Sequence, residues 1–315
     1  METLLYLLAR GLIGILQALP LRSVARFGRA CGSLAFLVDA RHRNVALANL
    51  AHCFGHERSK SELYELGREN FRRIGENLAS AMKTPTMNWE ELKQHVEIVG
   101  SPEVMALLRG ERDANVVVAI GHFGNFELYA RFGDFSPGLK CATTYRALRQ
   151  PSLNRLMQDL RERSGCRYFE RRFEAQALRQ FMNEPRVVLG LLADQHAGES
   201  GIRLPFLGHD CSTSTAPAIL ALRYRCRLVT AICYRVGLAQ WRIEAGEEIP
   251  TNQGVQTRPV ADIMLDVNRA LEVAVRRDPA NWFWVHRRWK PAKRPRQARP
   301  AVGEAHAATP PAQST

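Results

Sequence analysis

From about Val96 onward, short apolar runs are separated by amphipathic stretches of helical period, and this alternation restricts the fold more than any other feature. Val116–Ile120 (VVVAI) is β-branched and too short for a helix, so it reads as a buried strand. Residues 139–145 (LKCATTY), 186–193 (RVVLGLLA) and 228–236 (LVTAICYRV) repeat the pattern, with 241–245 as a hairpin partner for the last run. Between them, 152–163, 174–183, 216–225 and Val260–Arg277 carry apolar residues at helical spacing. Strands alternating with helices bury both faces of a sheet under helices. The expected architecture over residues 96–290 is therefore α/β, with a mixed central sheet flanked by helices.

The segment before Val96 reads differently. Residues 43–81 are helical in period, Ser59 with Glu62 fits a capping box, and Pro85 stops the run. Residues 21–95 are expected to form a basic helical region, with Arg22, Arg26, Arg29, Arg41 and Arg43 set among apolar side chains. Residues 4–19 (LLYLLARGLIGILQAL) are apolar except for Arg10 and Gln17. Sixteen helical residues span about 24 Å, short of a hydrocarbon core of about 30 Å. Residues 1–20 are thus expected to anchor at a membrane surface or to insert as a short tilted helix, a buried core helix being the alternative. Glu2 stands where a secretory signal would be basic, so no signal peptide is expected. Residues 291–315, rich in Pro, Ala, Arg and Gln, are expected to be a disordered tail.

Charge indicates the kind of partner. Among 315 residues, Lys+Arg 44 against Asp+Glu 31 gives a net charge of +13, and six of the cations are lysines. Such an excess suits an anionic partner: nucleic acid, anionic lipid, a phosphorylated substrate or an acidic carrier. No nucleic-acid-binding motif accompanies it, and the basic residues flank apolar stretches, which favours a membrane surface. Seven cysteines without a CxxC pair point to buried thiols in a reducing compartment, with no disulfide frame and no zinc site.

The sharpest local signal is Gly121-His122-Phe123-Gly124-Asn125-Phe126-Glu127. It follows the VVVAI strand directly, so His122 falls at the carboxyl end of a strand, where open α/β sheets bind ligands. Glu127 falls in the first turn of the next helix. If the turn folds back, its carboxylate orients the imidazole and leaves one ring nitrogen as a general base; the alternative is a helix-start acid beside a turn histidine. No GxSxG, HExxH, GxGxxG or P-loop sequence is present. A histidine base without a protein nucleophile suits direct attack by a substrate hydroxyl on an activated acyl group.

HFGNFE resembles the H-x4-D/E motif of the glycerolipid and lysophospholipid acyltransferase superfamily. Thr144-Tyr145-Arg146, Ala193-Asp194-Gln195, Pro205-Phe206-Leu207-Gly208 and Trp284-Val285-His286-Arg287-Arg288-Trp289-Lys290 follow in an order similar to that of the bacterial lipid A biosynthesis acyltransferases. The resemblance covers about residues 1–290. It implies His122 as the general base, Glu127 as its orienting acid, and Asn125, Arg146 and Asp194 as substrate-binding residues. It further implies an acyl carrier protein as donor, with Arg287 and Arg288 in contact, a membrane glycolipid acceptor, foremost a lipid A precursor with a lysophospholipid or another glycolipid as the alternative, an anionic membrane surface, and no metal or cofactor. The implied location is the cytoplasmic face of the bacterial inner membrane. One segment departs from the family pattern: an Arg-Pro pair is expected after the tyrosine, where this chain reads Tyr145-Arg146-Ala147-Leu148. Ser212 and Thr213 are expected only to cap the helix at Ala216.

Overall fold

The computed structural model describes residues 2–148 and 150–291, and the helices come first. They are α1 (Glu2–Ala18), α2 (Leu21–Val38), α3 (Ala40–Phe54), α4 (Lys60–Lys83) and a single turn, α5 (Trp89–Leu92). Ser59 and Glu62 form the expected reciprocal capping box at the start of α4. Helices α2 and α4 meet through glycines. A Cβ at Gly28 would stand 2.4 Å from the Gly75 carbonyl oxygen, and one at Gly32 would stand 2.2 Å from that of Phe71. Only hydrogen in place of a side chain lets the two backbones approach this closely. The tail expected at 291–315 lies, Pro291 apart, outside the described residues.

The sheet begins at β1 (Val96–Val99) and continues, after α6 (Pro102–Leu108), with β2 (Val116–Ile120). Beyond α7 (Phe132–Phe135) come β3 (Lys140–Tyr145), α8 (Pro151–Glu162), β4 (Arg167–Glu170), α9 (Ala175–Met182) and β5 (Val187–Leu192). A small hairpin of β6 (Ile202–Phe206) and β7 (His209–Thr213) precedes α10 (Ala216–Arg223), β8 (Arg227–Gly237), β9 (Gln240–Glu248) and α11 (Val260–Arg277). The seven-stranded sheet has the order β1-β9-β8-β2-β5-β3-β4. Every pairing in it is parallel except β8 with β9. The architecture is the mixed α/β sheet expected, with helices on both faces.

Alternation along β2 shows how the layers are built. Val117 and Ala119 join the core formed with α10 and α11, whereas Val116, Val118 and Ile120 face the opposite core with α6. Side chains leave a strand on alternate faces, and all five here are buried, so the run is apolar throughout. The topology brings the carboxyl ends of β2, β5, β3 and β4 to one edge of the sheet. The segments that follow them, at Gly121, Ala193, Arg146 and Arg171, therefore emerge together.

Candidate active site

Asp194, the second residue beyond β5, holds His122. Its Oδ1 accepts from the ring Nδ1 at 2.8 Å and its Oδ2 from the His122 backbone N–H at 2.7 Å. The Trp282 indole N–H donates to the same Oδ2 at 2.8 Å. Asp194 is 1 % exposed. Burial alone would raise its carboxyl, but the His122 ring and these three donors overcome that and hold it down to about 2. An ionised carboxylate only accepts, so the proton of neutral His122 sits on Nδ1 and Nε2 presents a lone pair. The Gln195 amide approaches Nε2 at 3.3 Å.

The turn carrying His122 is fixed from several sides. Phe123 pairs with Trp282 in an isolated bridge, and the Gly124 N–H donates to the Asn281 carbonyl at 3.0 Å. Gly124 has φ +49, and a Cβ there would stand 2.4 Å from the Cys233 carbonyl oxygen, so both its conformation and its surroundings require glycine.

Beside His122 opens a cavity of about 950 Å³. Its polar wall includes His122, Glu127, Arg146, Arg161, Gln195 and His286, and its apolar part reaches Val118, Ile120, Ala231, Ile243 and Ala245 along one sheet face to Ile98 and Leu108. The volume lies within the range of about 300–1,000 Å³ that suits a single small-molecule ligand or one long chain. Cys141 and Cys166 line it, but burial pushes both thiols up, Cys141 to about 12, which leaves no thiolate nucleophile at neutral pH.

Several expectations change place in the structure. Glu127 does not occupy the orienting position beside the imidazole. The short 3-10 helix Phe126–Arg131 carries its carboxylate to Arg161, at 3.6 Å, and Asp194 takes the ring. Asp194, expected to bind substrate, is instead sealed behind His122. Asn125 is 1 % exposed and lies outside the cavity wall, so it supports the turn rather than touching a ligand. Arg146 is exposed and lines the cavity. Arg287 is exposed, but Arg288 is fully buried and cannot meet a carrier protein. Its guanidinium bonds the carbonyls of Gln195 and Ser212 and the Thr213 hydroxyl, tying the post-β5 loop to β7. Ser212 and Thr213 belong to that strand and do not cap α10.

Arg161, Gln195, Trp282 and His286 had no role in the sequence reading. Arg161 lies over the rings of Tyr145 and Tyr168, at 5.3 and 4.9 Å. His286 accepts the His196 N–H on its Nε2 at 3.0 Å. The run from Trp282 to Trp289 could have pointed to two of these residues, since tryptophans crowded around a histidine at the end of a fold usually pack against something specific.

At this sheet edge a carboxylate-held histidine opens onto a cavity with a long apolar branch. The chain belongs to the bacterial lipid A biosynthesis acyltransferase family, whose model matches residues 2–291. It is also similar to the phosphatidylinositol mannoside acyltransferase of Mycolicibacterium smegmatis, 26% identical over 220 residues, which cover 66% of this chain and 67% of that protein. It is an acyltransferase.

Proposed function

We propose that the protein moves a fatty acyl chain from the thioester of an acyl carrier protein to a hydroxyl of a membrane glycolipid, most specifically a lipid A precursor. The observation that carries this reading is the pairing of His122 with buried Asp194 at the mouth of a long apolar cavity. His122 Nε2 takes the proton of the acceptor hydroxyl, and the oxygen attacks the thioester carbonyl. The tetrahedral adduct collapses, the C–S bond breaks, and the thiolate recovers the proton from the imidazolium. Asp194 favours this step by stabilising the positive ring that forms. The acyl chain lies along the apolar branch, and Arg146, with its fork of donors, meets acceptor phosphate at the rim. Arg287 and the other exposed arginines suit an acidic carrier.

The site would work at the cytoplasmic face of an inner membrane. No helix among the described residues is long and apolar enough to cross a bilayer. Helix α1 nevertheless exposes Leu4, Leu7, Leu8, Leu12 and Ile15, and Arg22 and Arg26 follow at the surface, which suits a helix lying in an anionic interface.

A second acceptor, a mannosylated phosphoinositide, is favoured by the name of the Mycolicibacterium relative, and the Tyr145-Arg146-Ala147-Leu148 segment departs from the lipid A family pattern. Mass spectrometry of lipids from cells with and without the protein separates the two. A shift of one acyl chain on the lipid A precursor supports the first acceptor, and one on phosphoinositide glycolipids supports the second. Unchanged glycolipids, with free fatty acid released from the thioester, would replace both with a hydrolase.

A further inference from the structure

The acyl-transfer reading leaves one partner unassigned: the thioester carbonyl oxygen, which gains negative charge as the hydroxyl attacks. Such charge needs a preorganised hydrogen-bond donor. Three backbone N–H groups of the His122 turn are already engaged. The His122 N–H donates to Asp194, that of Phe123 to the Gly121 carbonyl, and that of Gly124 to the Asn281 carbonyl. Across the site, the His196 N–H is also engaged, because it donates to His286 Nε2.

That last bond determines what His286 can do. A ring nitrogen that accepts from a backbone N–H carries no proton, so in the neutral ring the proton is on Nδ1. His286 lines the same cavity as His122. Its Nδ1 makes no hydrogen bond among the described residues, and it is not sealed in packing as His196 Nδ1 is. Burial, with Lys290, Arg288 and His122 adding to it and Asp194 opposing, pushes the imidazole down to about 4. The ring is therefore neutral at physiological pH, with one N–H to give and no role as a base.

We propose that His286 is a second catalytic imidazole, whose Nδ1–H receives the acyl carbonyl oxygen as the tetrahedral adduct forms. This rests on the acyl-transfer reading and adds a group to the same site. His286 keeps its proton throughout. The hydroxyl proton travels to His122 Nε2 and on to the departing thiolate, while the carbonyl oxygen gains and then loses its negative charge against His286. Buried Arg288, which has no carboxylate partner among its bonds, adds positive potential behind the loop.

The test compares wild type, His286→Ala and His286→Gln with two donors, an acyl-pantetheine thioester and the matching dithioester, on one glycolipid acceptor. The C=S group of the dithioester accepts hydrogen bonds poorly. With the thioester, His286→Ala is expected to lower kcat by roughly 10²–10³ while KM moves little. His286→Gln keeps an acceptor for the His196 N–H and a donor for the carbonyl, and recovers part of the rate. Changing to the dithioester should slow wild type far more than His286→Ala. If both slow by the same factor, His286 only supports the loop and the assignment falls while acyl transfer stands. If wild type transfers from neither donor, the acyl-transfer reading falls and this assignment with it. Should the alanine variant fail to fold, His286→Met, which fills the space without a hydrogen-bond donor, replaces it, and its thioester-to-dithioester rate ratio is compared with that of wild type in the same way.

Discussion

Asp194 accepts both the ring and the backbone N–H of His122, at 2.8 and 2.7 Å, although 72 residues separate them in sequence. The double contact fixes the imidazole in position and in tautomer at once. Parallel pairing of β2 with β5 makes it possible, since the two strands end side by side, with Ile120 opposite Leu192.

Asp194→Asn is therefore expected to be far more damaging than its small change in shape suggests. The amide can present its NH2 to the ring, which places the imidazole proton on the wrong nitrogen. A loss of about 10³–10⁴ in kcat is expected, with the fold intact by circular dichroism. Activity within tenfold of wild type would remove Asp194 from the mechanism.

The sheet strands and the position of His122 were readable because they depend on local pattern. VVVAI is strand-like whatever it packs against, and a histidine after it must fall at the strand end. The partner of that histidine was not readable, because which carboxylate reaches the ring depends on strand order. Glu127 is five positions away in sequence, but the 3-10 turn from Phe126 directs it to Arg161; Asp194 is distant in sequence and adjacent in the sheet. Arg288 illustrates the same limit. In sequence it is another cation of a basic run, and only packing shows it buried under Thr213 and Phe206.

Glu127 and Arg161 should behave as one unit. Their charged groups are 3.6 Å apart and each side chain is less than one-third exposed. Glu127→Gln and Arg161→Gln are each expected to reduce transfer, and the double variant little further, since removing one partner already ends the interaction. Fully additive losses in a double-mutant cycle would show that the two act separately.

Acid should destabilise the protein in two stages. Below pH 6.5 the unfolded chain protonates His286, whereas the folded protein, faced by Asp194, His122, Lys290 and Arg288, resists until about 4. The unfolded state then binds more protons, so stability falls as pH drops through this window. Asp194 acts at lower pH. Its ionised form is held in the folded state down to about 2, so its stabilisation is present above its ordinary value of 3.8 and is lost as pH falls from there. Thermal melts across pH 4–7 should show a shallower slope for His286→Gln than for wild type. The slope should not vanish, because burial lowers His52 and His196 as well. Identical slopes would mean that His286 titrates normally.

Glu76 is fully buried in α4 and joins three elements. It accepts from Arg29 of α2 at 3.2 Å, Arg235 of β8 at 2.8 Å and the Ala239 backbone N–H at 2.9 Å. Glu76→Gln leaves two cations around a neutral group, and breaking a buried pair in this way costs about 3–5 kcal/mol. Urea denaturation should show the midpoint falling with an unchanged slope. A midpoint equal to that of wild type would mean that water already screens the cluster.

The exposed face of α1 should decide membrane binding. Leu8 and Leu12 are 64% and 50% exposed, one helical turn apart on the same side. At the other end of the helix, Leu16 is buried and Gln17 bonds the Met82 carbonyl, so α1 is held on α4 with its leucines outward. Burying a leucine in an apolar phase gains about 1.5–3 kcal/mol, so Leu8→Glu with Leu12→Glu should weaken vesicle partitioning by at least about a hundredfold. Neither residue contacts the cavity, so turnover of a soluble thioester should persist while transfer to a vesicle-embedded acceptor fails. High salt should weaken binding of the wild-type protein to anionic vesicles, because Arg22 and Arg26, exposed on α2, act through a screened field. Equal partitioning of wild type and the double variant in flotation assays would place the membrane contact elsewhere on the protein.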